Sequence, residues 1–190
     1  MPVPFPQSEG AENIFQPPLA GAEMEFAENF TTLQGRFSFC LDEVELVEQL
    51  KQLIAARTWT KIYCRESALK QVLATAGFGI EYSNELINCD ASITGCEALI
   101  ARTGSIVMSS GQQSGRTTSV YAPVHICIAY ATQLKYDVKD GLLLVKKKYE
   151  KLPSLITLAT GPSRTADIEK TLVVGVHGPK EVFCFLVDKG

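Results

Sequence analysis

The sequence predicts a single α/β domain with a mostly parallel sheet, and three observations lead there. Its 190 residues suit one domain with a sizeable core and leave little room for two. Hydrophobic residues make up 46% and charged residues 21%, the balance of a globular chain. From residue 36 to residue 77, β-prone runs alternate with segments of helical periodicity, the rhythm of βαβ units.

Each element follows from local chemistry. Residues 1–20 carry Pro2, Pro4, Pro6, Pro17 and Pro18 with Gly10 between them and show no sustained period, so they read as an extended or disordered arm. The domain proper runs from 21 to 190. A helix is expected from Gly21 to about Gln34, with Met24, Phe26, Ala27 and Phe30 as a partial apolar face. RFSFCL at 36–41 reads as a strand. Asp42 then caps a helix, Glu45 completes a capping box, and Leu46, Val47, Leu50, Leu53 and Ile54 follow at helical spacing. KIYC at 61–64 is a second strand, and ESALKQVLATAG a helix ended by Gly77. SIVMS at 105–109 and VYAPVHICIAY at 120–130 are strands separated by a polar loop, with Pro123 as an edge or bend. A helix over about 137–151, the strand SLITLAT, the turn GPSRTADIE and the strand EVFCFLVD complete the chain.

Charge and cysteines exclude several functions. A net charge of -3 with scattered Lys and Arg leaves no footprint for nucleic acid. The one basic run, Lys146-Lys147-Lys148, reads as a solvated helix end. No stretch reaches the roughly 18 apolar residues of a membrane span. The N-terminus lacks the basic and apolar regions of a secretory signal, which favours the cytoplasm. Cys40, Cys64, Cys89, Cys96, Cys127 and Cys184 form no C-x-x-C pair, and most sit in apolar runs, so they read as buried thiols in a reducing compartment. That spacing argues against zinc or an iron–sulfur cluster held by this chain alone. No cofactor or metal is expected on it.

Three loops can do chemistry. At GPSRTADIE, Gly161 and Pro162 break a strand, and a helix is expected to start at Ser163 or Thr165, with Asp167 and Glu169 at its positive end. A helix N-terminus at the carboxyl end of a parallel strand, with Arg164 beside it, is an anion site; a capped helix with a surface Arg fits equally well. At GVHGP, His177 stands between Gly175 and Gly178 and is the candidate acid/base, or else a turn histidine bonded to backbone. His125, inside an apolar strand, reads as a satisfied core residue. Thr103, Gly104 and Ser105 form a turn with hydroxyls and backbone donors, and Arg116 reaches an anion there or simply decorates a surface hairpin. Neither G-x-G-x-x-G nor a P-loop is present.

GPSRTADIE followed by GVHGP resembles the lactate-utilization protein C family, the stand-alone LUD domain. Its upstream signature is met by Thr94, Gly95, Ile100, Ala101, Thr103, Gly104 and Ser105. An Arg followed by P-x-x-H is met by Arg116, Pro123 and His125. The match covers roughly residues 60–188. One position departs: Arg102 stands where the family usually carries Glu. The resemblance implies a three-layer α/β/α sandwich similar to ribose-5-phosphate isomerase, glucosamine-6-phosphate deaminase and the CoA transferases, with loops gathered at one sheet end. It also implies a part in bacterial growth on L-lactate beside iron–sulfur partner subunits that carry the redox centres. Two functions stay open: an accessory component of such a lactate-to-pyruvate system, or an independent enzyme or binder of a phosphorylated sugar, acyl-CoA or similar small anion. On either, the ligand-binding set is Thr103, Gly104, Ser105, Arg116, Gly161, Ser163, Arg164, Thr165, Asp167, His177 and Gly178.

Overall fold

Apolar runs and caps translate directly into elements in the computed structural model, which describes residues 21–166, 172–175 and 177–188. The expected N-terminal arm and Asp167 lie outside the described residues. In chain order the elements are α1 (Ala22–Thr32), β1 (Arg36–Cys40), α2 (Glu43–Arg57), β2 (Ile62–Cys64), α3 (Ser67–Thr75), β3 (Ala91–Thr94), β4 (Ala98–Ile100), β5 (Ser105–Ser109), α4 (Thr118–Tyr121), β6 (Val124–Tyr130), β7 (Leu134–Lys135), α5 (Val138–Lys148), β8 (Ile156–Ala159), β9 (Arg164–Ala166), β10 (Leu172–Val174) and β11 (Glu181–Val187).

The caps work largely as expected. Asp42 Oδ1 accepts from the Glu45 amide at 2.8 Å, while Glu45 reaches back to the Leu41 amide at 2.7 Å, one residue before the usual partner. Asp137 and Asp140 form a second capping box at α5. Gly77, at φ +93, lies just past the end of α3.

Five strands form one wholly parallel sheet in the order β1-β11-β6-β3-β2. β6 and β11 lie inside it and are buried along nearly their whole length, as strands covered on both faces must be. On one face, α2 and α3 set Leu46, Val47, Leu50, Leu69 and Leu73 against Ile93, Ile126, Ile128 and Phe185. On the other, Phe26 and Phe30 of α1 join Leu99 and Ile106 over Cys127, Ala129, Cys184 and Leu186. Leu99 and Ile106 belong to a second, four-stranded sheet, β7-β4-β5-β8. α5 packs Val145 against Ala98, Ile100 and Val107 of that smaller sheet. The predicted α/β architecture with helices flanking a mostly parallel sheet is therefore present, and its second face is covered by a helix and a sheet together.

One expectation fails in the described residues. No helix begins at Ser163 or Thr165: Arg164–Ala166 is a strand, paired antiparallel with Leu172–Val174. The strand before it, β8, runs antiparallel to β5 in the smaller sheet rather than in the parallel one. The reason lies in backbone pairing. The Gly175 amide donates to the Ser163 carbonyl at 2.8 Å and the Ser163 amide to the Pro179 carbonyl at 2.9 Å. A ladder between the two segments satisfies the groups a helix start would have left open.

All six cysteines are free and buried. Burial pushes the Cys40 thiol up to about 12 and the Cys64 thiol to about 11, so neither is a thiolate near neutral pH.

Candidate functional site

A strand pair and a proline turn bring the two histidines of the chain to one cleft. Pro123 has no amide hydrogen and ends the run before β6; its carbonyl accepts from the Lys180 amide at 2.8 Å. That bond sets the start of β6 beside the turn before β11. His125, second in β6, and Val182, second in β11, are register partners. Gly178 then lies so close to Ser163 that a Cβ on it would stand 2.8 Å from the serine Cβ. Between these elements, the end of β8 and α4 is a cleft of about 290 Å³.

Its walls hold His125, His177, Ser163 and Ser119 as polar groups and Met108, Leu158 and Val120 as apolar ones. A second hollow of about 370 Å³ shares Val120, His177 and Gly178 and adds Tyr121, so the cleft widens towards an exposed aromatic ring. No Lys, Arg, Asp or Glu is among the described residues lining either part. A cleft of this size and mixed character suits a small molecule.

The two imidazoles differ. His125 is 1% exposed, and its Nε2 lies 2.8 Å from the Thr94 hydroxyl. Burial lowers its pKa to about 4, so the ring is neutral at physiological pH. His177 is exposed at the opening.

The ligand-binding set predicted from sequence divides. Gly161, Ser163, His177 and Gly178 meet at the cleft. Gly161 is required for packing: at φ +137, a Cβ there would stand 2.4 Å from the Leu33 carbonyl oxygen. Arg164 turns away and donates to that same carbonyl. Thr165 contributes backbone to β9. Arg116 bonds the Ser154 hydroxyl instead. Thr103, Gly104 and Ser105 lie elsewhere, under α1. Gly104, at φ +58, would place a Cβ 2.5 Å from the Phe30 amide nitrogen, and Thr103 Oγ1 bonds Ser105 Oγ at 2.6 Å. Asn29 seals the turn by donating to the Ala101 and Arg102 carbonyls. Arg102 pairs with Asp137 at 2.7 Å, at the start of α5 rather than in the cleft.

His125 is buried and bonded to Thr94, as its apolar strand predicts, and its place beside the cleft is a tertiary fact. One group escaped the sequence reading. Glu97 was passed over altogether, although it is the single charge in the otherwise apolar run CEALIA. Its carboxylate is sealed, with Oε1 accepting from Ser109 at 2.6 Å and Tyr149 at 2.7 Å, and Oε2 from Lys148 at 2.8 Å. Burial alone would raise its pKa, but these donors outweigh it and hold the group below the usual carboxylate range. The cluster ties β4 and β5 to α5 and its C-terminal end.

Comparison with known proteins agrees with this fold. A family model described as the LUD domain matches residues 23–187. Lactate utilization protein C of a Geobacillus species is 31% identical over 172 residues, 77% of this chain and 70% of that protein. An uncharacterized protein of Neisseria meningitidis serogroup B is 35% identical over 95 residues, 50% of this chain and 41% of that one. Against most of its curated relatives the chain spans about half of their length or less. The crystal structure of a DUF162 family protein from Deinococcus radiodurans superposes on 90% of this chain and 99% of that one, with a TM-score of 0.65 at 21% identity.

Proposed function

Because this chain belongs to the LUD domain family, we propose that it serves L-lactate utilisation as a small-molecule-binding component acting beside iron–sulfur partner subunits. The relatives named lactate utilization protein C, 31–39% identical, support the pathway. The observation that carries the site is the meeting of His125 and His177 in one cleft with no charged side chain among its described lining. Lactate and pyruvate each bear one carboxylate, three carbons and either a hydroxyl or a keto group, and they fit well within about 290 Å³. His177 and the Ser163 hydroxyl offer donors to the carboxylate, and Met108 and Leu158 face the methyl group.

On this reading the partner subunits hold the redox centres. The described residues contain no group of three or more His, Cys, Asp and Glu side chains able to hold a metal. No described helix is long and apolar enough to cross a membrane. A phosphorylated sugar or acyl-CoA is the weaker reading, because Arg116 and Arg164, which would have met a multiply charged phosphate, are bonded outside the cleft.

The test is genetic and biochemical. Deleting the gene should abolish growth on L-lactate while sparing growth on pyruvate, and the tagged chain should retain iron–sulfur proteins on purification. Undiminished lactate oxidation without the chain refutes the proposal. A thermal-shift panel of lactate, pyruvate, sugar phosphates and acyl-CoA separates the two ligand classes.

A further inference from the structure

We infer that His125 is locked in one neutral tautomer by Thr94 and presents Nδ1 to the cleft purely as a hydrogen-bond acceptor, so that the site favours a ligand bearing a hydroxyl over its keto counterpart. The choice of lactate and pyruvate as one probe pair rests on the function proposed above, whereas the tautomer does not.

The argument is a proton count. A threonine hydroxyl has one proton to give. Thr94 gives it to the carbonyl of Gly95, 2.8 Å away. The same oxygen lies 2.8 Å from His125 Nε2, in a buried contact. With its proton committed, Thr94 Oγ1 takes part there as acceptor, and Nε2 carries the hydrogen. In a neutral ring the other nitrogen then holds a lone pair. Among the described residues, the sealed side-chain atoms without a partner are Glu25 Oε2 and Tyr82 Oη. His125 Nδ1 is not one of them, and the cleft that this ring lines is where it opens.

The surroundings keep the ring neutral. No carboxylate among the described residues lines the cleft to stabilise an imidazolium, and burial opposes charge in any case. The orientation of the ring is also fixed from behind, since turning it over would set the carbon Cε1 in place of Nε2 and forfeit the bond to Thr94.

An acceptor-only nitrogen discriminates between ligands of equal size. A hydroxyl donates to it, whereas a carbonyl oxygen meets it lone pair to lone pair and leaves both acceptors desolvated. The expected preference is about tenfold, the usual size of one net hydrogen bond gained or lost in a dry site. The ligand class is therefore a small molecule with an alcohol group, of which a 2-hydroxy acid is one member.

The chain suits the decisive measurement because it contains two histidines. Long-range ¹H–¹⁵N spectra of the labelled protein at pH 7, assigned with His177→Gln, should show His125 protonated at Nε2 and bare at Nδ1. An Nδ1–H tautomer or an imidazolium overturns the inference. L-Lactate against pyruvate, and 1,2-propanediol against acetone, are then titrated in. The alcohol of a pair should shift the Nδ1 resonance at about tenfold lower concentration than the ketone. A response to propanediol but not to lactate upholds the inference and refutes lactate as the ligand. Equal responses, or none, to both members of both pairs overturn it. Thr94→Val should mix the tautomers and erase the preference; a preference that survives in a folded Thr94→Val protein also overturns it.

Discussion

Lowering the pH sets the buried His125 against the fold. The unfolded chain exposes an imidazole of pKa 6.5, while burial brings the folded one to about 4. Between those values the unfolded state binds a proton that the native state refuses, so stability falls as pH falls, and above 6.5 the effect vanishes. Each unit of difference is worth about 1.4 kcal/mol, so one imidazole removes about 2 kcal/mol by pH 5 and about 3 kcal/mol by pH 4. Such a loss is a large part of the 5–15 kcal/mol typical of a domain. Urea unfolding at pH 8, 6.5, 5 and 4 reads it, with His125→Gln as the reference that retains every other titrating group. The wild type should lose stability more steeply than the variant below pH 6.5, and the two should run parallel above it. Parallel curves throughout would show that the imidazole takes up its proton as readily in the native state as in the unfolded one, and the burial described for His125 would be wrong.

Three further outcomes follow from named contacts. Lys148→Met should cost about 1–3 kcal/mol in chemical denaturation, because it strips Glu97 Oε2 of its donor. Glu97→Gln added to that variant should recover much of the loss by removing the stranded charge; no recovery would mean the pair is incidental. Gly161→Ala should destabilise by about 2 kcal/mol or more, since the new methyl meets the Leu33 carbonyl and φ +137 is strained for alanine, and an unchanged melting temperature would contradict that packing. Arg102→Glu should set a second carboxylate against Asp137 and cost about 1 kcal/mol, less at high salt. A stabilising Arg102→Glu would show that the Asp137 pair does not hold α5.

Much of the fold was legible because it depends on neighbours in sequence. Asp42 caps α2 through an amide three residues away, and Gly77 closes α3 through its own dihedral. The runs at 120–130 and 181–188 are apolar enough to read as strands; the second is one over Glu181–Val187, whereas the first becomes one only from Val124, after Pro123, with Val120 and Tyr121 in α4. The stretch after Gly161 reads as a helix start because Ser, Thr and acidic residues cap helices in isolation, whereas here the strand Leu172–Val174 and the turn before β11 take the backbone bonds. Glu97 went unseen since its three donors come from β5, α5 and the residue that ends α5.

The site divides the same way. The sequence by itself determined that glycines, Ser163 and His177 would stand at tight turns, because turn chemistry is local. Only the tertiary structure decided which of them share a cleft. It drew His125 in through the Pro123–Lys180 bond, sent Arg116 and Arg164 to other partners, and placed Thr103, Gly104 and Ser105 beneath α1. Side-chain reach and strand register fix those outcomes, and both are set by contacts between segments far apart in the chain.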